Sequence, residues 1–192
     1  MARIEAPSKP GLVARLAGWY SRRRFGKEME PMKPYAHRPG LLIGYSALEM
    51  AFDRSRRLDP KLKTLAELKA ATVAGCEWCI DFGSMLSRSE GVTEDQLRDL
   101  PRYRESDAFN EVEKLVLDYA TAMTRTPVEV PDELFAKLRQ HFDEPQLVEL
   151  TTAAALENYR ARFNWALGFG SQDFSEGAFC AIPERVATTQ SS

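Results

Sequence analysis

A chain of 192 residues is long enough for one domain with a sizeable core, and its 44% hydrophobic and 28% charged residues are ordinary for a soluble globular protein. Lys+Arg 26 against Asp+Glu 28 leaves a formal charge of −2, so no global field argues for nucleic acid. No apolar run approaches the ~20 residues that span a bilayer, the first residues lack a signal-peptide pattern, and three cysteines make no secreted disulfide framework, so the expected compartment is the cytoplasm.

The charge is uneven. Residues 1–40 hold nine Lys/Arg against three acids, +6, which leaves −8 for the remainder. Residues 1–39 read as a basic N-terminal extension, 40–183 as one domain, and 184–192 as a tail. Within the extension, residues 11–25 form a short amphipathic helix with Leu12, Leu16 and Trp19 or Tyr20 on one side and Arg22, Arg23 and Arg24 near its end. Packing on a neighbouring element or subunit is the preferred reading for that helix, and contact with an anionic membrane the lesser one. Pro31, Pro34 and Pro39 then mark a link expected to lack regular structure.

From Gly40 onward the pattern is helical. Leu41 to Phe52 is apolar, Asp59-Pro60 is an N-cap followed by Pro at the first helical position, and the helix from Lys61 runs to Gly75. A second helix spans Cys76 to Ser87, and Thr93 to Gln96 is a capping box for a short one. Asp107 is expected to open the next, with Val112, Leu115, Val116, Tyr119 and Met123 facing inward, before Glu133–Phe142 and a long helix from Gln146 to about Gly168. Without strand alternation or repeats, the fold class is all-α, a single domain of about seven or eight helices.

Cys76-Glu77-Trp78-Cys79 is the feature that carries chemistry. A thioredoxin-type site needs a strand feeding the CxxC helix, and a helical pattern precedes this one. A structural zinc site needs four ligands; His37, His141 and Cys180 are scattered, so no metal and no cofactor are expected. The reading that remains is a helical dithiol. Cys76 follows a glycine at a helix start, where free N–H groups and the dipole favour a thiolate, and Cys79 lies one turn on. Two buried apolar filler cysteines are the plainer alternative.

In this context the chain resembles the carboxymuconolactone decarboxylase superfamily, within it the alkylhydroperoxidase (AhpD-like) branch, over roughly residues 40–180. The likeness rests on an apolar helix pair, the Gly-Cys-x-x-Cys helix, and a late helix reading Glu157-Asn158-Tyr159-Arg160-Ala161-Arg162-Phe163-Asn164-Trp165. It implies an all-helical fold that assembles into dimers, trimers or hexamers. It also implies a thiol peroxidase or disulfide reductase that takes a hydroperoxide and is recycled by a dithiol or protein reductant. Carried over, Cys79 attacks the peroxide and Cys76 resolves it. The branch pattern also holds a Glu twelve residues before the first cysteine and a His four after the second; here these are Thr64 and Gly83, so the usual relay is absent. Glu67, one turn after Thr64, and Asp81 are the candidate proton acceptors, and Arg162 or Arg160 the candidate cation. A cysteine-independent decarboxylase or lactone-type enzyme and a non-enzymatic redox-sensing oligomer are the alternative functions.

Overall fold

The computed structural model describes residues 2–176. Their regular structure is helical throughout: α1 (Leu12–Phe25), α2 (Pro39–Arg54), α3 (Pro60–Ala74), α4 (Glu77–Ser87), α5 (Glu94–Asp99), α6 (Glu111–Thr124), α7 (Asp132–His141) and α8 (Glu144–Leu167). No described helix is long and apolar enough to cross a membrane.

Helix boundaries follow from local chemistry. Asp59 Oδ1 accepts the Lys61 N–H at 2.8 Å and Pro60 fills the first turn of α3, where its missing N–H costs nothing. Reciprocal capping boxes start α5 (Thr93 with Gln96) and α8 (Asp143 with Gln146). The start expected at Asp107 is corrected by another such box: Asn110 Oδ1 accepts the Glu113 N–H and Glu113 Oε2 the Asn110 N–H, each at 2.9 Å, so α6 begins at Glu111.

The link also departs from expectation. Glu30–Met32 and Pro34–His37 are 3-10 turns, and Pro39 opens α2. Proline's fixed φ suits the first position of a helical turn, so these prolines start short turns rather than preventing them.

α3 is the central helix. It packs on α4, α6 and α8, and eight of its residues are buried, Lys63 and Lys69 among them. Two apolar cores flank it. One collects Leu65, Leu68, Cys76, Trp78, Cys79, Ile80, Leu117 and Ala161; the other joins Phe52, Leu58, Val116, Tyr119, Leu138 and Leu150. Burying such side chains contributes about 1.5–3 kcal/mol each, before the opposing entropy of ordering the chain is subtracted.

α1 turns its large apolar residues outward. Gly18 and Ser21 face the protein, while Leu12, Leu16, Trp19 and Tyr20 are each more than half exposed in this single chain. Cys180 and the 184–192 tail lie outside the described residues.

Candidate active site around the cysteine pair

Gly75 decides how the cysteines are presented. At φ +70°, a left-handed conformation that side chains disfavour, it ends α3 and turns the chain so that Cys76 becomes the N-cap of α4. Cys76 Sγ accepts the Cys79 backbone N–H at 3.2 Å, as a capping oxygen would elsewhere. The two sulfurs are joined as a disulfide, and both residues are buried, Cys76 at 2% and Cys79 at 5% exposure.

A residue to which the sequence motif assigns no role completes the pair. Asn164, on α8 and 2% exposed, directs Nδ2 to Cys79 Sγ at 3.4 Å and to Cys76 Sγ at 3.6 Å. A buried amide donor aimed at two sulfurs favours negative charge on either of them once the bond is opened. A lone Asn within a long helix carries no spacing signal, and it meets the cysteines only because α8 folds back across α4.

Asp81 lies in α4 and is fully buried, with its carboxylate turned to the segment after α8. It accepts the N–H groups of Gln172 (3.0 Å), Phe174 (3.0 Å) and Ser175 (2.8 Å) and the hydroxyls of Ser171 (2.9 Å) and Ser175 (2.7 Å). Burial alone would raise its pKa; the Ser175, Phe174 and Ser171 donors outweigh it and hold the carboxyl below the usual range. These donors all come from residues 171–175, so Asp81 is the anchor of that segment.

That anchored segment and the N-terminal extension meet over the cysteine helix. Gln172 Oε1 accepts from Trp78 Nε1 at 2.6 Å and from the Glu30 N–H at 2.9 Å, and Lys27 Nζ reaches the Gln172 and Asp173 carbonyls at 2.9 and 2.8 Å. Trp78 stacks on Phe82, Phe25 meets Phe82 edge-on, and Met29 packs against the core that holds both cysteines.

Glu67 and Arg160 are found together, in an ion cluster. Arg160 holds Glu49 with two bonds, Nε to Oε1 at 2.8 Å and NH2 to Oε2 at 2.6 Å, while its NH1 reaches Glu67 at 2.6 Å and Glu157 at 3.0 Å. One guanidinium cannot fully neutralise three carboxylates, of which Glu157 is buried and Glu49 and Glu67 are partly buried. Burial, then repulsion from Glu67 and Glu49 against the pull of Arg160, pushes Glu157 up to about 8, and burial raises Glu67 in spite of Arg160. Glu157 Oε1 is buried without a hydrogen-bond partner among the described residues. Arg162, by contrast, is exposed, hydrogen-bonded to Asn158 and lining an outer cleft with Trp165.

Where the branch pattern places its histidine, space is lacking. A Cβ on Gly83 would lie 2.9 Å from Leu68 Cδ2, and Leu68 is 1% exposed in the core. Thr64, at the matching Glu position, is buried in α3. Among the described residues no group of three or more His, Cys, Asp or Glu is placed to hold a metal ion.

A model of the Carboxymuconolactone decarboxylase family matches residues 39–122. YnjA of Escherichia coli (strain K12) is 34% identical over 179 residues, which are 93% of this chain and 96% of YnjA. The chain belongs to the carboxymuconolactone decarboxylase family. Among solved structures it is similar to an Agrobacterium tumefaciens protein described as a putative antioxidant defence protein AhpD, with 27% identity, 71% of this chain and 94% of the other covered, and a TM-score of 0.64. It is similar in fold to a cysteine-to-alanine variant of the debrominase Bmp8 in complex with 2,3,4-tribromopyrrole, with 17% identity, 91% and 93% covered, and a TM-score of 0.79. A peroxidase-related protein of Silicibacter shares the fold at a TM-score of 0.79 with 16% identity, covering 92% and 95% of the two chains.

Proposed function

We propose that the protein is a thiol-dependent oxidoreductase that reduces a hydroperoxide through the Cys76–Cys79 couple. The observation that carries this reading is that the two sulfurs are bonded to each other beneath one buried side-chain donor that reaches both, Asn164. Family membership and the peroxidase-related proteins of the same fold support it.

In the proposed cycle the reduced Cys79 thiolate attacks the terminal peroxide oxygen. The O–O bond breaks, Cys79 becomes a sulfenic acid, and the alkoxide takes a proton and leaves as the alcohol. Cys76, as thiolate, then attacks the sulfenic sulfur; hydroxide leaves, takes a proton and departs as water, and the disulfide forms. A dithiol reductant returns the two electrons, and Cys76 leaves as the thiolate, which its capped position at the start of α4 and the Asn164 amide both stabilise. Asn164 thus stabilises charge on the sulfurs and does not replace the proton transfer of the missing Glu–His relay. Asp81 acts at one remove in this scheme, by fixing the 171–175 segment over α4, while Arg162 lines the outer cleft and takes no step in the scheme. Glu67 contributes to the partly buried Arg160 cluster.

The test is hydroperoxide turnover with excess dithiol. Cys79→Ser abolishes turnover; Cys76→Ser, with the dithiol omitted, consumes one equivalent and holds a sulfenic acid on Cys79 that a sulfenate-specific reagent traps. Full turnover in both single variants would overturn the reading.

A further inference from the structure

Two clefts lie side by side on the surface formed by α3, α6, α8 and the Leu100–Arg102 turn, and neither is used by the scheme above. The first, of about 330 Å³, is lined by Lys69, Tyr103, Arg102, Arg104 and Arg125, with Glu105 among its walls. The second, of about 490 Å³, is more apolar, with Val73, Ala74, Trp165, Arg125 and Arg162 in its lining. Val73 and Arg125 belong to both, so the two spaces share a wall.

The charges around the first cleft are unevenly answered. Arg102 is held by Asp99 and Arg104 by Asp118. Lys69 is only 6% exposed, yet its ammonium meets a carbonyl, Leu100 O at 3.2 Å, and the Tyr103 ring at 4.4 Å rather than a carboxylate. Arg125 has no carboxylate partner among the described residues, and Arg162, in the second cleft, bonds only Asn158 among them. Burial, with Arg104 and Arg125 adding repulsion that Asp118 partly offsets, depresses Lys69 to about 8. A buried cation facing others is destabilised until a counter-charge arrives.

The second cleft is lined by Ala74 and Trp165, beside the turn that leads into Cys76. Trp165 Nε1 donates to Ala74 O at 2.9 Å, and its ring lies 3.8 Å from where a Cβ on Gly75 would stand. Trp165 is 57% exposed, follows Asn164 in the chain, and lines the cleft. A polar, cationic cleft therefore adjoins a more apolar one whose lining includes Ala74, two residues before Cys76.

From this arrangement we infer that the paired clefts bind an amphipathic oxyanion, its carboxylate or phosphate head between Lys69 and Arg125 and its apolar body along Val73 and Trp165. The inference rests on the thiol reading for its chemistry, and it names the substrate class: a hydroperoxide or disulfide that carries a negative head and an apolar body.

The experiment measures calorimetric binding of octanoate, octyl phosphate and octanol to the Cys79→Ser protein, in which no turnover occurs. Binding of at least one of the two anions at least about tenfold tighter than octanol is expected, the difference of one favourable ionic contact. Which of the anions binds tighter assigns the head group as carboxylate or phosphate. Arg125→Gln, an exposed position, should weaken anion binding about tenfold and leave octanol unchanged, and Arg125→Lys should restore part of the loss. Lys69→Met, which keeps the buried stem, should act in the same direction. Octanol binding as tightly as both anions, or anion binding indifferent to both Arg125→Gln and Lys69→Met, overturns the inference. The two readings fail separately: turnover in the wild type without anion binding leaves the thiol chemistry standing alone, and binding without turnover leaves the clefts standing alone.

Discussion

The Asn164 carboxamide nitrogen stands 3.4 Å from Cys79 Sγ, across 85 residues of sequence, in a region where both side chains are almost wholly buried. It contacts Cys76 Sγ as well, so one amide serves both ends of the disulfide. A neutral donor in a low-dielectric site lowers thiol pKa without bringing a counter-charge of its own.

Replacing it isolates that effect. In Asn164→Leu, a change of similar volume, the cysteine thiols of the reduced protein should titrate about one pH unit higher, and alkylation near pH 7 should slow by up to about tenfold. Asn164→Asp should move them further the same way, because an ionised carboxylate repels a thiolate. Alkylation rate against pH is the readout. An unchanged profile in both variants would remove Asn164 from the chemistry.

Asp81 offers a structural prediction. Its carboxylate holds three backbone N–H groups and two hydroxyls. Asp81→Asn keeps one acceptor and turns an NH₂ toward donors, leaving buried N–H groups unsatisfied at about 1–3 kcal/mol each. The variant should unfold at lower denaturant, and hydrogen exchange should quicken at Gln172, Phe174 and Ser175 before it quickens in α3.

The Arg160 cluster predicts a pH dependence. Folding raises the Glu157 carboxyl to about 8 from the usual Glu range, so the folded state holds a proton that the unfolded chain releases at much lower pH. That contribution is fully present below about pH 4 and is lost as pH rises through 8. Glu157→Gln keeps a carbonyl for Arg160 and cannot ionise. Its stability relative to the wild type should grow from about pH 4.5 upward, approaching about 1.4 kcal/mol per pH unit, and level off above about pH 8. Parallel stability curves for the two proteins would contradict this account of the cluster.

How much of this could be read beforehand divides by the range of the interaction. Local rules reached the helices: Asp59-Pro60, Gly75 and the Thr93–Gln96 box all act within a few residues and all stand at helix ends in the structure. The start of α6 was legible too, in the Asn110–Glu113 box, which competes with the Asp107 signal three residues earlier and wins through two reciprocal bonds. Long-range matters were not legible. Arg162 and Asn164 sit two residues apart on α8, yet one is exposed beside Asn158 and the other buried against sulfur, a difference set by where α8 crosses α4. Glu67 shares a face with Thr64 as the periodicity says, but only the placement of α2 and α8 joins it to Arg160, Glu49 and Glu157. The Gly83 substitution, visible as a departure from the branch pattern, acquires its reason from Leu68, whose methyl group fills the space a side chain would need.

The most direct test of the central claim is to reduce the protein fully, mix it with one equivalent of a hydroperoxide, and count free thiols and bonded cysteines by mass spectrometry. The account predicts loss of two thiols per peroxide consumed, with the new bond between Cys76 and Cys79 and the sulfurs reopened by a dithiol. Peroxide left unconsumed, or consumed with both thiols still free, would contradict it.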